Sequence, residues 1–415
     1  QKLCFYGIYE IYGTLNRFQR LNNMELILFP VNPYLFREDL DCICYTSTSI
    51  ISWGDQTKEG SSLQLNKLSI LGGRYKLIHT LKKFTNATIM KRIVPLLLSI
   101  LVLFSGIFPA YAQEVLLHED VESFPVTRGV TYEGKTLFTS GGWQKIHVLR
   151  VDLSSSNIDV DTLIGKGGLS QRDSLSKMVV DNNAIAGING DFFIMATPSA
   201  PVGGQVQNGK LVSSPSNRKD MATLGLTFDN LPELLKMEFR GAVLAPNGNR
   251  SEIGGINKIG DSYSKVFVFT PEFGSKTPAV PASSPDLTFV VTNNNRVVNI
   301  FDGKTTDIPT TGMVLMARGE GSNFLKNNLS IGDEIKMDLN IAPDLSNIKM
   351  ALGGGAILVE NGKIPSSFSH NIGGVNPRTA VGFTADKKTM IMVVVDGRQA
   401  VSRGLTQRDM AELMV

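Results

Sequence analysis

Beyond residue 140 the chain breaks into short runs in which β-branched and aromatic residues alternate with polar ones, each run closed by Gly, Pro, Asn or Asp. Ile146, Val148, Val151 and Leu153 give near-alternation over 143–153, which predicts a strand, and 158–164 reads as its partner. A short helix is expected over 174–182, with Asp173 or Ser174 as its N-cap. Residues 184–188 form a wholly apolar run, the mark of a buried strand, ending at Asn189-Gly190-Asp191-Phe192-Phe193. Further β-type runs occupy 224–228, 265–269, 287–291, 297–301, 313–317 and 334–339, the last entered through a turn at Gly332-Asp333.

The C-terminal part is the most regularly patterned. Gly353-Gly354-Gly355 precede the apolar run 356–359, and Asn361-Gly362 then signals a tight hairpin turn. Residues 376–383 and 390–395 read as paired strands around a turn at Asp386-Lys387-Lys388. The stretch 405–415 reads as a helix, with Thr406 as cap and Asp409 three residues on, in the manner of a capping box. Strands dominate and helices are few, so the expected fold class is α+β, a strand-rich mixed-sheet domain with a few helices.

Upstream of residue 140 the pattern changes. Residues 115–133 show no strong period and read as a lead-in. Met90-Lys91-Arg92, the apolar stretch 93–108 and Ala110-Tyr111-Ala112 have the three parts of a secretory signal peptide, in order. The expected organisation is therefore 1–89 as a non-native upstream extension or a disordered segment, 90–112 as signal peptide, 113–140 as lead-in and 141–415 as the folded domain. The implied location is secreted, extracellular or associated with the cell envelope, without a stable membrane span after cleavage.

Composition narrows the chemistry. Hydrophobic residues make up 42% and charged residues 19% of the 415 residues, as in an ordinary globular protein. A formal charge of +3 with no dense Lys/Arg block gives no footprint for nucleic acid. All three cysteines, Cys4, Cys42 and Cys44, precede the signal peptide, so the domain has neither a disulfide nor a cysteine nucleophile. No G-x-S-x-G elbow is present. His118, His147 and His370 lack metal-ligand spacing, so no metal site and no cofactor are expected, with an oxygen-ligated calcium left open. His147 reads as packed within a strand; His370, near Arg378 in sequence, reads as a loop residue, with a place at the site as the alternative.

The ordered segments HVLRVDL (147–153), AIAGINGDFF (184–193), GGQVQNGKLV (203–212), GGGAILVENGK (353–363), NPRTAVGF (376–383) and DGRQAVSRGLTQRDMAELM (396–414) resemble phosphodiester glycosidase domains. The resemblance spans nearly all of 141–415. Members of that family usually continue into a glycine-rich LDGGGS-type strand and loop, so the resemblance also implies a domain incomplete at its C-terminus. The implied activity is hydrolysis of a sugar-1-phosphodiester, such as an N-acetylglucosamine-1-phosphodiester, to free sugar and a phosphate monoester. The alternative is a non-catalytic cell-envelope module that binds phosphorylated or anionic glycans.

Such a hydrolysis expels a phosphate monoester, whose second pKa is about 6. Strong acid assistance is therefore less needed than in an ordinary glycosidase. A cation for the phosphate and a carboxylate near the anomeric carbon are still required. Arg378 is the expected phosphate ligand, because guanidinium grips phosphate bidentately. Arg398 is a second cation, and Arg403 reads as surface. Asp396, at the end of an apolar strand and before Gly397, is the expected carboxylate, although Asp-Gly is also a common turn pair. Glu412 on the terminal helix is either a third catalytic group or part of a solvated face. Asn189, Gly190, Asp191 and Thr379 are expected to bind the sugar, and Gly354 and Gly355 to offer backbone N–H groups to the phosphate.

Overall fold

The computed structural model describes residues 2–6, 114–196, 198–216 and 218–415. The signal peptide and nearly all of the expected upstream extension lie outside the described residues. The first strands are β1 (Lys2–Tyr6), β2 (Leu116–Thr127), β3 (Val130–Thr139), β4 (Gly142–Asp152) and β5 (Asp159–Thr162). Helix α1 (Leu175–Asp181) leads into β6 (Ala184–Asn189), β7 (Phe193–Ile194), β8 (Ala200–Pro201), β9 (Gln205–Gln207) and β10 (Lys210–Ser213). The middle of the chain holds β11 (Thr223–Thr227), β12 (Pro232–Leu235), β13 (Glu238–Leu244), β14 (Arg250–Ile256) and β15 (Val266–Phe269). It continues through β16 (Leu287–Asn293), β17 (Arg296–Gly303), β18 (Val314–Ala317), α2 (Gly319–Asn328) and β19 (Lys336–Ala342). The last elements are β20 (Ile348–Gly353), β21 (Arg378–Phe383), β22 (Thr389–Val395) and α3 (Gln407–Met414).

The fold is α+β with mixed sheets, as the patterning predicts. A five-stranded antiparallel sheet runs β2-β3-β4-β22-β21, and a second has the order β10-β9-β20-β11-β12. A seven-stranded sheet runs β17-β16-β18-β15-β14-β13-β19, with β14 and β15 parallel. In a three-stranded sheet β1 lies between β5 and β6, parallel to both. The expected lead-in is thus no mere leader. Its residues form the β2–β3 hairpin and pair in register with β4, Tyr132 opposite Leu149 and Gly134 opposite His147. Most of β2 is exposed on both faces, and a strand with no buried face has no reason to alternate.

Strand alternation in the first sheet decides where site residues point. Side chains two apart share a face. On one face Leu149, Val151, Met390 and Met392 pack with Ile185 and Ile188 of β6 and with Leu226, Met350 and Leu352 of the second sheet. On the other face Ile146, Val148, Ala380, Val393 and Val395 pack with Met410 of α3. The ends of that helix are fixed by sequence. Thr406 Oγ1 accepts from Asp409 N at 3.1 Å and Thr406 N donates to Asp409 Oδ2 at 3.0 Å, the expected capping box. Ser174 caps α1 in the same way, accepting from Lys177 N at 3.2 Å. The Asn361-Gly362 turn also forms, with φ of 52° and 72° and mutual bonds between Glu360 and Lys363. It joins no ladder, because 356–359 is not a strand.

Candidate active site

Two neighbouring arrangements hold most of the candidate residues, joined by the short segment Asn189–Asp191. The first lies at the edge of the core-facing side of the β4-β22-β21 layer. Thr379 pairs with Val394 across β21 and β22, and Val394 pairs with His147 of β4, so all three share that face. Thr379 Oγ1 donates to Asn189 Oδ1 at 2.7 Å, tying β21 to the end of β6. Asp396, two residues past Val394, follows the same side, and its Oδ2 stands 3.6 Å from His147 Nε2. His147 Nδ1 lies 2.8 Å from the Tyr132 hydroxyl. Burial first, then the Glu122 and Asp396 carboxylates, push the Tyr132 hydroxyl well above its ordinary pKa, so it stays protonated.

The second arrangement is a glycine-lined cleft. Asp191, with φ of 60° and nearly buried, accepts from Phe192 N at 2.7 Å and Gly203 N at 2.9 Å. A Cβ on Gly203 would stand 2.6 Å from Gly353 Cα and 2.8 Å from Asp191 Oδ1, so only glycine lets these segments meet. Beyond them lies a shallow depression open to solvent and lined by Gly204, Ser216, Arg218, Thr223, Gly353 and Gly354. Gly354 N donates to Ala222 O, and Ala222 N donates to Gly355 O, each at 2.9 Å. The Gly354 N–H expected to meet phosphate is therefore already engaged. Gly355 lies against Phe192 and His370, which would stand 3.3 and 3.6 Å from a Cβ there.

Under the cleft floor lies Lys258. Its Nζ donates to the carbonyls of Pro201 at 2.7 Å, Val202 at 3.1 Å and Gly203 at 2.5 Å. Burial pushes Lys258 down to about 7, against the pull of Asp191. Burial likewise pushes Asp191 up to about 6, against Lys258 and the two backbone N–H groups. The Gly203 strand is thus held by a carboxylate on its N–H side and an ammonium on its carbonyl side. Lys258 carries no motif. It sits in Asn257-Lys258-Ile259-Gly260, and only tertiary burial distinguishes it.

Arg378 lies elsewhere than its expected place. As the neighbour of Thr379 on a strand it faces the opposite side, toward α3. Its Nε donates to Leu405 O at 3.0 Å, and its Nη2 to Ile372 O and Gly374 O, each at 2.9 Å. The fork meant for phosphate pins the 372–374 loop instead. Glu412 is likewise outside the cleft. Met410 and Ala411 take the buried positions of α3, and the helical turn leaves Glu412 exposed. Gly397 and Arg398 belong to a chain crossing. A Cβ on Gly397 would meet Pro377 N at 2.4 Å, and Arg398 Nη2 donates to Asn376 Oδ1 at 2.7 Å.

Sequence patterning gives no sign of the Arg218–Asp220 pair, and the structure brings the His370 loop to it. Arg218 donates from Nε at 3.2 Å and Nη2 at 2.8 Å to the two oxygens of Asp220. Asp220 Oδ2 lies 2.7 Å from His370 Nδ1. These residues stand about 150 positions apart, so no local pattern could have announced them. Among the described residues no group of three His, Cys, Asp or Glu side chains converges to hold a metal, and no helix is long and apolar enough to cross a membrane.

Residues 287–415 match the phosphodiester glycosidase family. The matched span carries β16 to β22, the glycine run, the His370 loop, Arg378, Asp396 and α3, while Asn189, Asp191, Arg218 and Asp220 precede it. No curated protein matches the chain. Two solved structures share its fold. A hypothetical protein from Synechocystis is 16% identical with a TM-score of 0.58, over 71% of this chain and 56% of that one. A Burkholderia pseudomallei protein described as exported is 15% identical with a TM-score of 0.61, over 72% of this chain and 88% of that one. The chain thus spans little more than half the length of the Synechocystis protein.

Proposed function

We propose that this protein is a secreted hydrolase that cleaves a sugar-1-phosphodiester, such as an N-acetylglucosamine-1-phosphodiester, to free sugar and a phosphate monoester. The observation that carries the reading is the family match, whose span supplies the glycine run of the cleft together with Asp396 and Thr379. Export is supported by the signal-peptide pattern over 90–112 and by the description of the Burkholderia relative.

Asn189 and Thr379 hold one another and offer their remaining hydrogen-bonding capacity to sugar hydroxyls. Asp396 stabilises positive charge at the anomeric carbon as the C1–O bond opens. The electron pair of that bond leaves with the phosphate, and the oxygen of water takes its place on C1. Gly203 and Gly353 let the two segments of the cleft floor meet, and Gly355 makes room for Phe192 and His370. Arg378 acts by holding the 372–374 loop. The test is release of free N-acetylglucosamine from UDP-N-acetylglucosamine by the full chain and by Asp396→Asn. Turnover by the parent, reduced at least 100-fold in a folded Asp396→Asn, supports the reading. A folded parent that releases no sugar from several sugar-1-phosphodiesters overturns it.

A further inference from the structure

The Arg218–Asp220–His370 chain sits at the rim of the cleft, and no role given so far uses it. Its geometry fixes the imidazole. Asp220 Oδ2 is 2.7 Å from Nδ1, a distance that requires a proton on that nitrogen, since a carboxylate only accepts. Arg218 Nη2 lies 3.3 Å from the same Nδ1 and cannot donate to it once it is protonated, so the guanidinium serves the carboxylate. Arg218 and His370 together hold the Asp220 carboxyl well below its ordinary range, so it is ionised throughout the neutral region. In the neutral ring the lone pair is then on Nε2. Cδ2, the carbon bonded to Nε2, is the ring atom that faces Gly355, 3.6 Å from where a Cβ would be. The imidazole thus packs against the glycine strip through Cδ2, the carbon next to Nε2.

The loop that carries the ring is held from four sides. Ser369 Oγ donates to Asp220 O at 2.8 Å, and Gln407 Nε2 to His370 O at 3.0 Å. Gln407 Oε1 accepts from Ile372 N at 2.8 Å, and Arg378 bonds Ile372 O and Gly374 O. Phe192 meets the ring edge-on at 5.3 Å between centroids. The groups that meet the imidazole are thus one carboxylate, one guanidinium and one aromatic ring. This is the construction of an oriented base: a nitrogen that can accept a proton, a carboxylate behind it, and a rigid support.

We propose that His370 is the acid–base residue of this cleft, with Asp220 and Arg218 as its positioning residues; the proposal rests on the hydrolase reading above. As the water oxygen bonds to C1, one water proton passes to Nε2, and the pair of the breaking C1–O bond leaves with the phosphate. The imidazolium then returns the proton to the phosphate monoester or to solvent, which balances the hydrolysis.

The experiment is the pH profile of kcat/KM for N-acetylglucosamine release from UDP-N-acetylglucosamine by the full chain, His370→Gln and Asp220→Asn. A base must be neutral to act, so the parent loses activity toward acid. His370→Gln is expected to fall at least 100-fold and to lose that acid limb. Asp220→Asn is expected to fall at least tenfold with its acid limb moved to lower pH, because the imidazolium has lost its carboxylate. A merely structural role would leave the limb in place. Should His370→Gln fail to fold, the Asp220→Asn limb decides, together with nitrogen-15 ring spectra of the parent, which must show neutral His370 protonated on Nδ1. A folded His370→Gln within threefold of the parent, an unmoved limb in Asp220→Asn, or a neutral ring protonated on Nε2 overturns the proposal alone. A parent that releases no sugar overturns the hydrolase reading, and this proposal with it.

Discussion

Lys258→Met removes the ammonium beneath the cleft while keeping the length of the side chain. Three main-chain carbonyls, those of Pro201, Val202 and Gly203, then lose their donor in a site where Lys258 is only 9% exposed. Asp191, also 9% exposed, loses the one positive charge that opposes its desolvation. Removing one partner of a buried charged pair costs about 3–5 kcal/mol, and orphaned carbonyls belong to the same range. The expected loss at pH 6.5, where Asp191 is ionised and Lys258 is still an ammonium, is therefore about 4 kcal/mol, on the order of a third of the stability of a typical domain.

The loss depends on pH, and the sign follows from Asp191. Its folded pKa is raised to about 6 from an ordinary 3.8, so the stability tied to its proton is full below pH 3.8 and is lost as pH rises through 6. Without Lys258 the folded pKa rises further. The variant is then penalised most between pH 6 and 7, where Asp191 ionises and Lys258 in the parent is still an ammonium, and less at pH 5, where Asp191 is protonated. Urea unfolding at pH 5 and pH 6.5, followed by tryptophan fluorescence, measures both values. Adding Asp191→Asn should recover part of the pH 6.5 loss, giving a non-additive cycle. A loss below 1 kcal/mol, or an equal loss at both pH values, would refute the reasoning.

Three further outcomes follow from the same geometry. Arg378→Ala should lower stability by about 1–3 kcal/mol, since it frees three carbonyls, yet leave competitive inhibition by a phosphate monoester within threefold; inhibition weakened tenfold would restore Arg378 as a phosphate ligand. Gly353→Ala sets a Cβ within 2.6 Å of Gly203 Cα and 2.8 Å of Asp191 Oδ1, so thermal melting should show a loss of about 1–3 kcal/mol, and an unchanged melting temperature would contradict the packing. Glu412→Gln should keep turnover within twofold, because the side chain projects from the exposed face of α3; a tenfold loss would return it to the site.

Legibility from sequence followed how local each interaction is. The capping box at Thr406 and Asp409, the cap at Ser174 and the Asn361-Gly362 turn are contacts within four residues, and each was read directly. Continuous apolar runs buried on both faces, such as β15, β16 and β18, match the patterning within a few residues of their bounds. The β2–β3 hairpin escaped because β2 is solvated on both faces. Helix α2 escaped because Gly-Glu-Gly-Ser-Asn is weak helix-forming sequence and only Gly321 and Leu325 are buried. Arg378 was assigned by residue type alone. Strand alternation, already implied by the apolar pattern around it, would have set it on the opposite face from Thr379. The Asp191–Lys258 relation and the Arg218–Asp220–His370 chain bring together residues far apart in sequence, which only the packed fold can do.

The most direct test of the central claim is which bond breaks. UDP-N-acetylglucosamine is hydrolysed by the full chain in oxygen-18 water, and both products are analysed by mass spectrometry under conditions that suppress exchange at the free anomeric hydroxyl. Attack of water at C1 predicts the label in N-acetylglucosamine and none in the nucleotide. Label in the nucleotide instead would mean attack at phosphorus, and would contradict the glycosidase account.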